Sequence, residues 1–194
     1  MLATMVRTLP RSDDFVYESK WDGFRAALFI ERGVHRLVSR NRTDMTDWFP
    51  ELVDVSSQVS ARTAIVDGEV VCRDGSVDSF NELLEIGRRR GRRADHREIS
   101  FVAFDVLRIN SRDMRALPIE QRRSELARVV AEGNRVVLSR AYDDGQALYD
   151  LAIAHGLEGV IGKRKGTIYT NGRSRDWIKF KVPGAAERHD WVNR

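Results

Sequence analysis

Two apolar runs, Phe24 to Ile30 and Val34 to Ser39, are separated by only Glu31-Arg32-Gly33. A linker this short with a glycine predicts a β-hairpin. A hairpin forces antiparallel pairing, and that constrains everything around it. Phe15 to Glu18, Ala64 to Arg73, Ile99 to Ile109, Arg135 to Arg140, Glu158 to Arg164 and Trp177 to Val182 read as further strands. Helices are expected at Trp48 to Val59, at Ser79 to about Gly87 behind a Ser79-Phe80-Asn81-Glu82 capping box, at Pro118 to Ala131, and at Asp143 to His155, which Gly156 stops. Hairpins mixed with separate helices favour an α+β chain over a doubly wound sheet.

The chain has 194 residues, 42% hydrophobic and 32% charged, which fits a folded core and argues against wholesale disorder. Its apolar runs are far too short to span a bilayer, and no basic-then-apolar leader opens it. The single cysteine, Cys72, lies in an apolar run and reads as a core residue in a reducing, cytoplasmic setting. His35, His96, His155 and His189 are scattered and suggest no zinc site.

The lysines are more telling than the net charge of +4. Of 33 basic residues only 5 are Lys: Lys20, Lys163, Lys165, Lys179 and Lys181. Arginine stays protonated in proteins, so only lysine can act as an amine nucleophile. Lys20 follows a strand and precedes a glycine turn in Glu18-Ser19-Lys20-Trp21-Asp22-Gly23-Phe24-Arg25, so its amine could enter a cleft. Nearby cations would lower its pKa and make it nucleophilic. A bare Lys-x-Asp-Gly equally fits a surface lysine in a turn.

Four more segments bear on the chemistry. Asp67-Gly68-Glu69 interrupts an apolar run and by itself reads more readily as a solvated turn. Phe104 and Asp105 should point to opposite faces of their strand, Phe104 as a core or a base-stacking ring. Strand alternation places Glu158 and Lys163 on opposite faces unless a bulge intervenes. Lys179 and Lys181, two apart, leave the same face, and two such cations suit a polyphosphate. Acidic residues beside phosphates suit Mg²⁺ (or Mn²⁺). The run Arg88-Arg89-Arg90-Gly91-Arg92-Arg93 reads as a solvated loop or as a phosphate-contacting, DNA-binding one.

The five motifs, in this order over Met1 to Val182, resemble the adenylation (nucleotidyltransferase) domain of ATP-dependent DNA ligases, most like bacterial ligase C and ligase D end-joining enzymes. The resemblance implies the ligase/mRNA-capping nucleotidyltransferase fold, with antiparallel sheets flanked by helices. It implies that Lys20 attacks ATP to give lysyl-AMP, that AMP passes to a 5′-phosphate at a nick or broken duplex end, and that a 3′-hydroxyl then seals the strand. It places Glu18 beside the adenine and Phe104 under it. Arg25 and Arg40 would contact AMP or the nick phosphate. Glu69 would bind the ribose or a metal, Glu158 would assist the metal, and Lys163, Lys179 and Lys181 would contact phosphates. Relatives carry a C-terminal OB-fold domain, whereas residues 183–194 read as a tail or the start of a linker, so an OB-fold or end-joining partner is expected in trans. A monomer in the bacterial cytoplasm, associated with the nucleoid and not with membrane, is expected. The alternatives are an RNA ligase or capping relative, and a catalytically incomplete module that binds ATP and DNA ends.

Overall fold

The computed structural model describes residues 1–10, 13–72, 83 and 98–184. The capping box and its helix (Leu83 apart), the arginine run at 88–93 and residues 185–194 lie outside them.

Among the described residues the strands are β1 (Leu2–Met5), β2 (Phe15–Ser19), β3 (Phe24–Glu31), β4 (Val34–Ser39), β5 (Thr63–Cys72), β6 (Ile99–Ile109), β7 (Arg112–Asp113), β8 (Val136–Leu138), β9 (Gly159–Arg164) and β10 (Arg173–Lys181). The helices are α1 (Ile119–Val129) and α2 (Gly145–Ala154). A first sheet has the order β1-β10-β9-β2, and a second the order β4-β3-β5-β6-β7, with β8 on β6. Most pairs are antiparallel as expected, but β1 joins β10 and β8 joins β6 in parallel. The β3–β4 hairpin turns at Arg32 and Gly33, both at positive φ (48° and 84°), the conformation a tight two-residue connection requires.

In the second sheet the sequence alternation becomes two faces. Phe24, Ala26, Leu28 and Ile30 of β3, with Leu37, Ala64, Val66 and Val70, point into the main core, where Phe49, Leu52, Val55 and Leu126 meet them. The residues between, Arg25 and Glu69 among them, face the other way. In the first sheet Phe15, Tyr17, Val160 and Ile178 pack against Leu148, Tyr149 and Ala152 of α2. Asp144 caps that helix, its carboxylate accepting from the N–H groups of Gln146 and Ala147, and Gly156 (φ 65°) follows its end. A small cluster of Met1, Phe104, Ile119 and Trp177 joins the two sheets.

The segment from Trp48 to Val59 is not one helix. It forms three short 3-10 turns, Thr46–Trp48, Pro50–Leu52 and Val55–Gln58. Pro50 cannot donate a backbone bond, and the hydroxyls of Ser56 and Ser57 are spent on the carbonyls of Gly33 and Asp54. Cys72 is buried at the end of β5. No helix among the described residues is long and apolar enough to cross a membrane.

Candidate active site

Lys20 stands just beyond β2, where its N–H donates to the Gly159 carbonyl at 2.9 Å. Its ammonium pairs with Oε2 of Glu158, while Lys181 takes Oε1 at 2.9 Å. Burial would raise the Glu158 carboxyl, but the two lysines outweigh it and hold it below the usual carboxylate range. Lys179 and Lys181 share one face of β10, as their spacing predicts. Burial, Lys20 and Lys181 together push the Lys179 ammonium down. Two ammonium groups thus share one carboxylate while a third, Lys179, lies within reach of their charge, an excess of positive charge suited to an anion.

The parity conflict between Glu158 and Lys163 is resolved at Gly159. Glu158 precedes β9 instead of belonging to it, and Gly159 has φ +148°. A Cβ there would stand 2.1 Å from the Phe180 carbonyl oxygen, so only glycine lets the chain turn this close to β10.

The second sheet supplies the opposite wall. Arg25 lies across from Glu69 in the β3–β5 register. Its guanidinium holds Asp67 through two bonds, of 3.1 and 2.7 Å, and the Tyr169 hydroxyl donates to the same carboxylate at 2.8 Å. Burial alone would raise Asp67, but Arg25 and Tyr169 keep it below its ordinary value. The Glu69 carboxyl is pushed up to about 7, by burial first and then by the charges of Glu158 and Asp67, against Lys20 and Arg25. Asp67-Gly68-Glu69 is therefore part of a central strand and not a turn. The β5–β6 register shifts between Asp67 and Gly68, where the partner moves from Asp105 to Ala103 and Phe104 becomes the extra residue. Such a bulge re-aims a side chain. Gly68 is required beside it, since a Cβ would lie 2.4 Å from the Phe101 ring.

A third group surrounds Phe104. Lys163, 1% exposed, lies 2.7 Å from Oε1 of Glu18 and donates to the Phe104 carbonyl at 3.1 Å. Its ammonium stands 4.7 Å from the Phe104 ring centre and 4.5 Å from that of Trp177. Burial lowers its pKa, against the pull of Glu18 and Asp105. Arg123 also donates to Glu18.

The structure thus gathers Lys20, Glu158, Lys179 and Lys181 on one wall, Arg25 and Glu69 on the other, and Glu18, Phe104 and Lys163 beside them. It does not bring Arg40 into this group: that side chain is exposed in the turn after β4. Arg88, Arg89, Arg90, Arg92 and Arg93 lie outside the described residues. Sequence reasoning missed Arg123 and Tyr169, which announce themselves by no local motif, and gave no role to Asp67 or Trp177, which flank the residues it did single out. Among the described residues no group of three or more His, Cys, Asp or Glu could cage a metal.

The family model of the ATP dependent DNA ligase domain matches residues 1–181. A DNA ligase of Pyrobaculum islandicum is 32% identical over 190 residues, covering 92% of this chain and 32% of that protein. The multifunctional non-homologous end joining protein LigD of Pseudomonas aeruginosa is 34% identical over 183 residues, covering 93% of this chain and 21% of that protein. The chain therefore spans a third or less of the length of these relatives. A mycobacterial DNA ligase D structure complexed with ATP and MES superposes with a TM-score of 0.72 at 27% identity, over 93% of this chain and 60% of that one. Chlorella virus DNA ligase-adenylate, 13% identical with a TM-score of 0.62 over 92% of this chain and 67% of that one, shares the fold. The chain belongs to the ATP-dependent DNA ligase family and has the nucleotidyltransferase fold of its adenylation domain.

Proposed function

We propose that this chain transfers AMP from ATP, through Lys20, to the 5′-phosphate of nicked or broken duplex DNA. The observation that carries this reading is the pairing of both Lys20 and Lys181 with Glu158, with Lys179 on the same face of β10 as Lys181. A nucleophilic amine must shed a proton to solvent, and the Glu158 carboxylate, bonded to the Lys20 nitrogen, holds it in place for attack. The free amine attacks the α-phosphorus, an N–P bond forms, and the bond to the bridging oxygen breaks to release pyrophosphate. Lys179 and Lys181 face the same space, and their charge stabilises the phosphoryl oxygens during transfer. Glu18, Phe104 and Lys163 enclose the base, so Lys163 serves the base side of the pocket and not the phosphates. Glu69 and Glu158 would hold Mg²⁺ (or Mn²⁺) beside the phosphates, since that ion takes one or two carboxylates and fills its remaining positions with phosphate and water. There it would neutralise developing charge.

The 5′-phosphate then displaces Lys20 from AMP, and a 3′-hydroxyl attack releases AMP and seals the strand. Residues 1–182 form the nucleotidyltransferase unit, acting as a monomer at the nucleoid with an OB-fold domain or end-joining partner to close over DNA.

The test is covalent labelling. Wild type, first stripped of AMP with pyrophosphate, is incubated with Mg²⁺ and ATP labelled at the α-phosphate, beside Lys20→Ala. Label on wild type and none on the variant supports the reading. No label on folded, stripped protein, even with an OB-fold domain added, overturns it. Preferential labelling by GTP would point to a capping relative instead.

A further inference from the structure

Arg123 stands on α1 next to the buried Arg122, yet it reaches the first sheet. One guanidinium nitrogen, Nη1, donates to Oε1 of Glu18, and Nη2 donates to the Ser139 carbonyl at 2.8 Å. Lys163 meets the same Oε1, so two cations hold one oxygen of a carboxylate that is 2% exposed. Ser139 carries the connection onward. Its hydroxyl accepts from the Trp21 indole N–H at 3.2 Å, and its N–H donates to the Ala103 carbonyl at 2.8 Å, next to Phe104. Arg123 therefore ties together the residues on either side of Lys20, Glu18 and Trp21, and the strand that carries Phe104.

We propose that Arg123 is a positioning residue that sets which purine the site accepts. The inference rests on the reading that Glu18 lies beside the base. A carboxylate is an acceptor only. With Oε1 occupied by Arg123 and Lys163, Oε2 is left to accept from the base edge. Adenine offers a donor there, its 6-amino group. A 6-oxopurine such as hypoxanthine offers an oxygen, and two acceptors facing each other repel. Hypoxanthine also carries a donor at N1, but a carboxylate fixed by a fork of hydrogen bonds cannot move across to reach it. Releasing Glu18 from Arg123 frees it to re-aim, and the preference for the amine falls. Sites built around one fixed hydrogen bond discriminate in this way.

Lysyl-nucleotide formation is measured with ATP and with ITP, each labelled at the α-phosphate, on wild type, Arg123→Ala and Arg123→Lys, with melting temperatures recorded. The expected result for Arg123→Ala is a fall of about tenfold in the ATP:ITP ratio of kcat/KM, carried mainly by a higher KM for ATP, the size expected for one hydrogen bond to a charged group. Arg123→Lys keeps a cation at Oε1 and retains the larger part of the ratio. ATP and ITP labelling that fall by the same factor would show a merely structural role and overturn the proposal, as would an unchanged ratio. Equilibrium binding of ATP and ITP is measured in parallel on Lys20→Ala with and without Arg123→Ala. This ratio is read without the covalent step, so absent labelling counts against Lys20 chemistry alone. Equal affinity for the two nucleotides with Arg123 intact overturns the role given to Arg123.

Discussion

Asp105 and Arg122, both with fully buried side chains, are joined by two hydrogen bonds of 2.8 and 2.9 Å. Burial pushes the Asp105 carboxyl up even against its guanidinium partner. Arg122 also donates to the carbonyls of Leu117 and Thr167, at 2.6 and 3.1 Å, so one side chain fastens α1 to β6 and to the segment after β9. Asp105→Ala leaves that guanidinium buried with no countercharge, and urea unfolding is expected to show a loss of about 3–5 kcal/mol. Asp105→Ala combined with Arg122→Met removes the stranded charge and should recover much of it. A double variant as unstable as the single one would refute the electrostatic account.

Glu69 makes stability depend on pH. Its proton stays on to about pH 7 in the folded chain, against an ordinary value of 4.5. Between these values the folded state binds more protons than the unfolded one, so stability falls as pH rises and levels off above 7. The loss attributable to Glu69 is on the order of 3 kcal/mol. Glu69→Gln should flatten the stability profile between pH 5 and 8, measured by urea unfolding; profiles that run parallel would reject the assignment.

Gly159→Ala should damage the site without touching any of its charged groups. The new Cβ collides with the Phe180 carbonyl, and the chain must move where it delivers Glu158 to Lys20 and Lys181. Strain of about 1–3 kcal/mol and a tenfold or greater drop in lysyl-AMP formation are expected. Gly166→Ala is the control: it shares a positive φ (+74°) but has open space around it, so labelling should stay near wild type. Equal effects from the two would sink the argument.

Replacing Arg88, Arg89, Arg90, Arg92 and Arg93 with serine is expected to weaken binding to nicked duplex DNA and leave lysyl-AMP formation intact. The salt dependence of binding should flatten by about 0.9 in log–log slope for each DNA phosphate that an arginine no longer neutralises. An unchanged slope would show that this run is only a solvated loop.

The strands were legible because alternation and β-branching are local signals, and ends such as those of β4 and β6 match the reading residue for residue. The lysines stood out because they are scarce. What stayed hidden depends on contacts across the chain. Arg123 meets Glu18 over 105 residues and Tyr169 meets Asp67 over 102, and nothing within Gln121-Arg122-Arg123 separates a site arginine from a solvated one. The parity of Glu158 failed for a different reason. Alternation holds only inside a strand, and Glu158 lies one residue before β9, ahead of a glycine whose backbone departs from it. The bulge at Phe104 is likewise a property of two strands together, invisible in either alone.

Lys20 sits on a seam. Its backbone is still bonded to β9 of the first sheet, and four residues later the chain has become β3 of the second. The proposed nucleophile and its lysine partners belong to one sheet, while Arg25 and Glu69 belong to the other. The reaction therefore works as a caliper for the gap between the jaws. Any agent that pries the sheets apart, whether mild denaturant, pressure or a substitution in the Phe104–Trp177 packing that joins them, should silence the chemistry while both sheets remain folded.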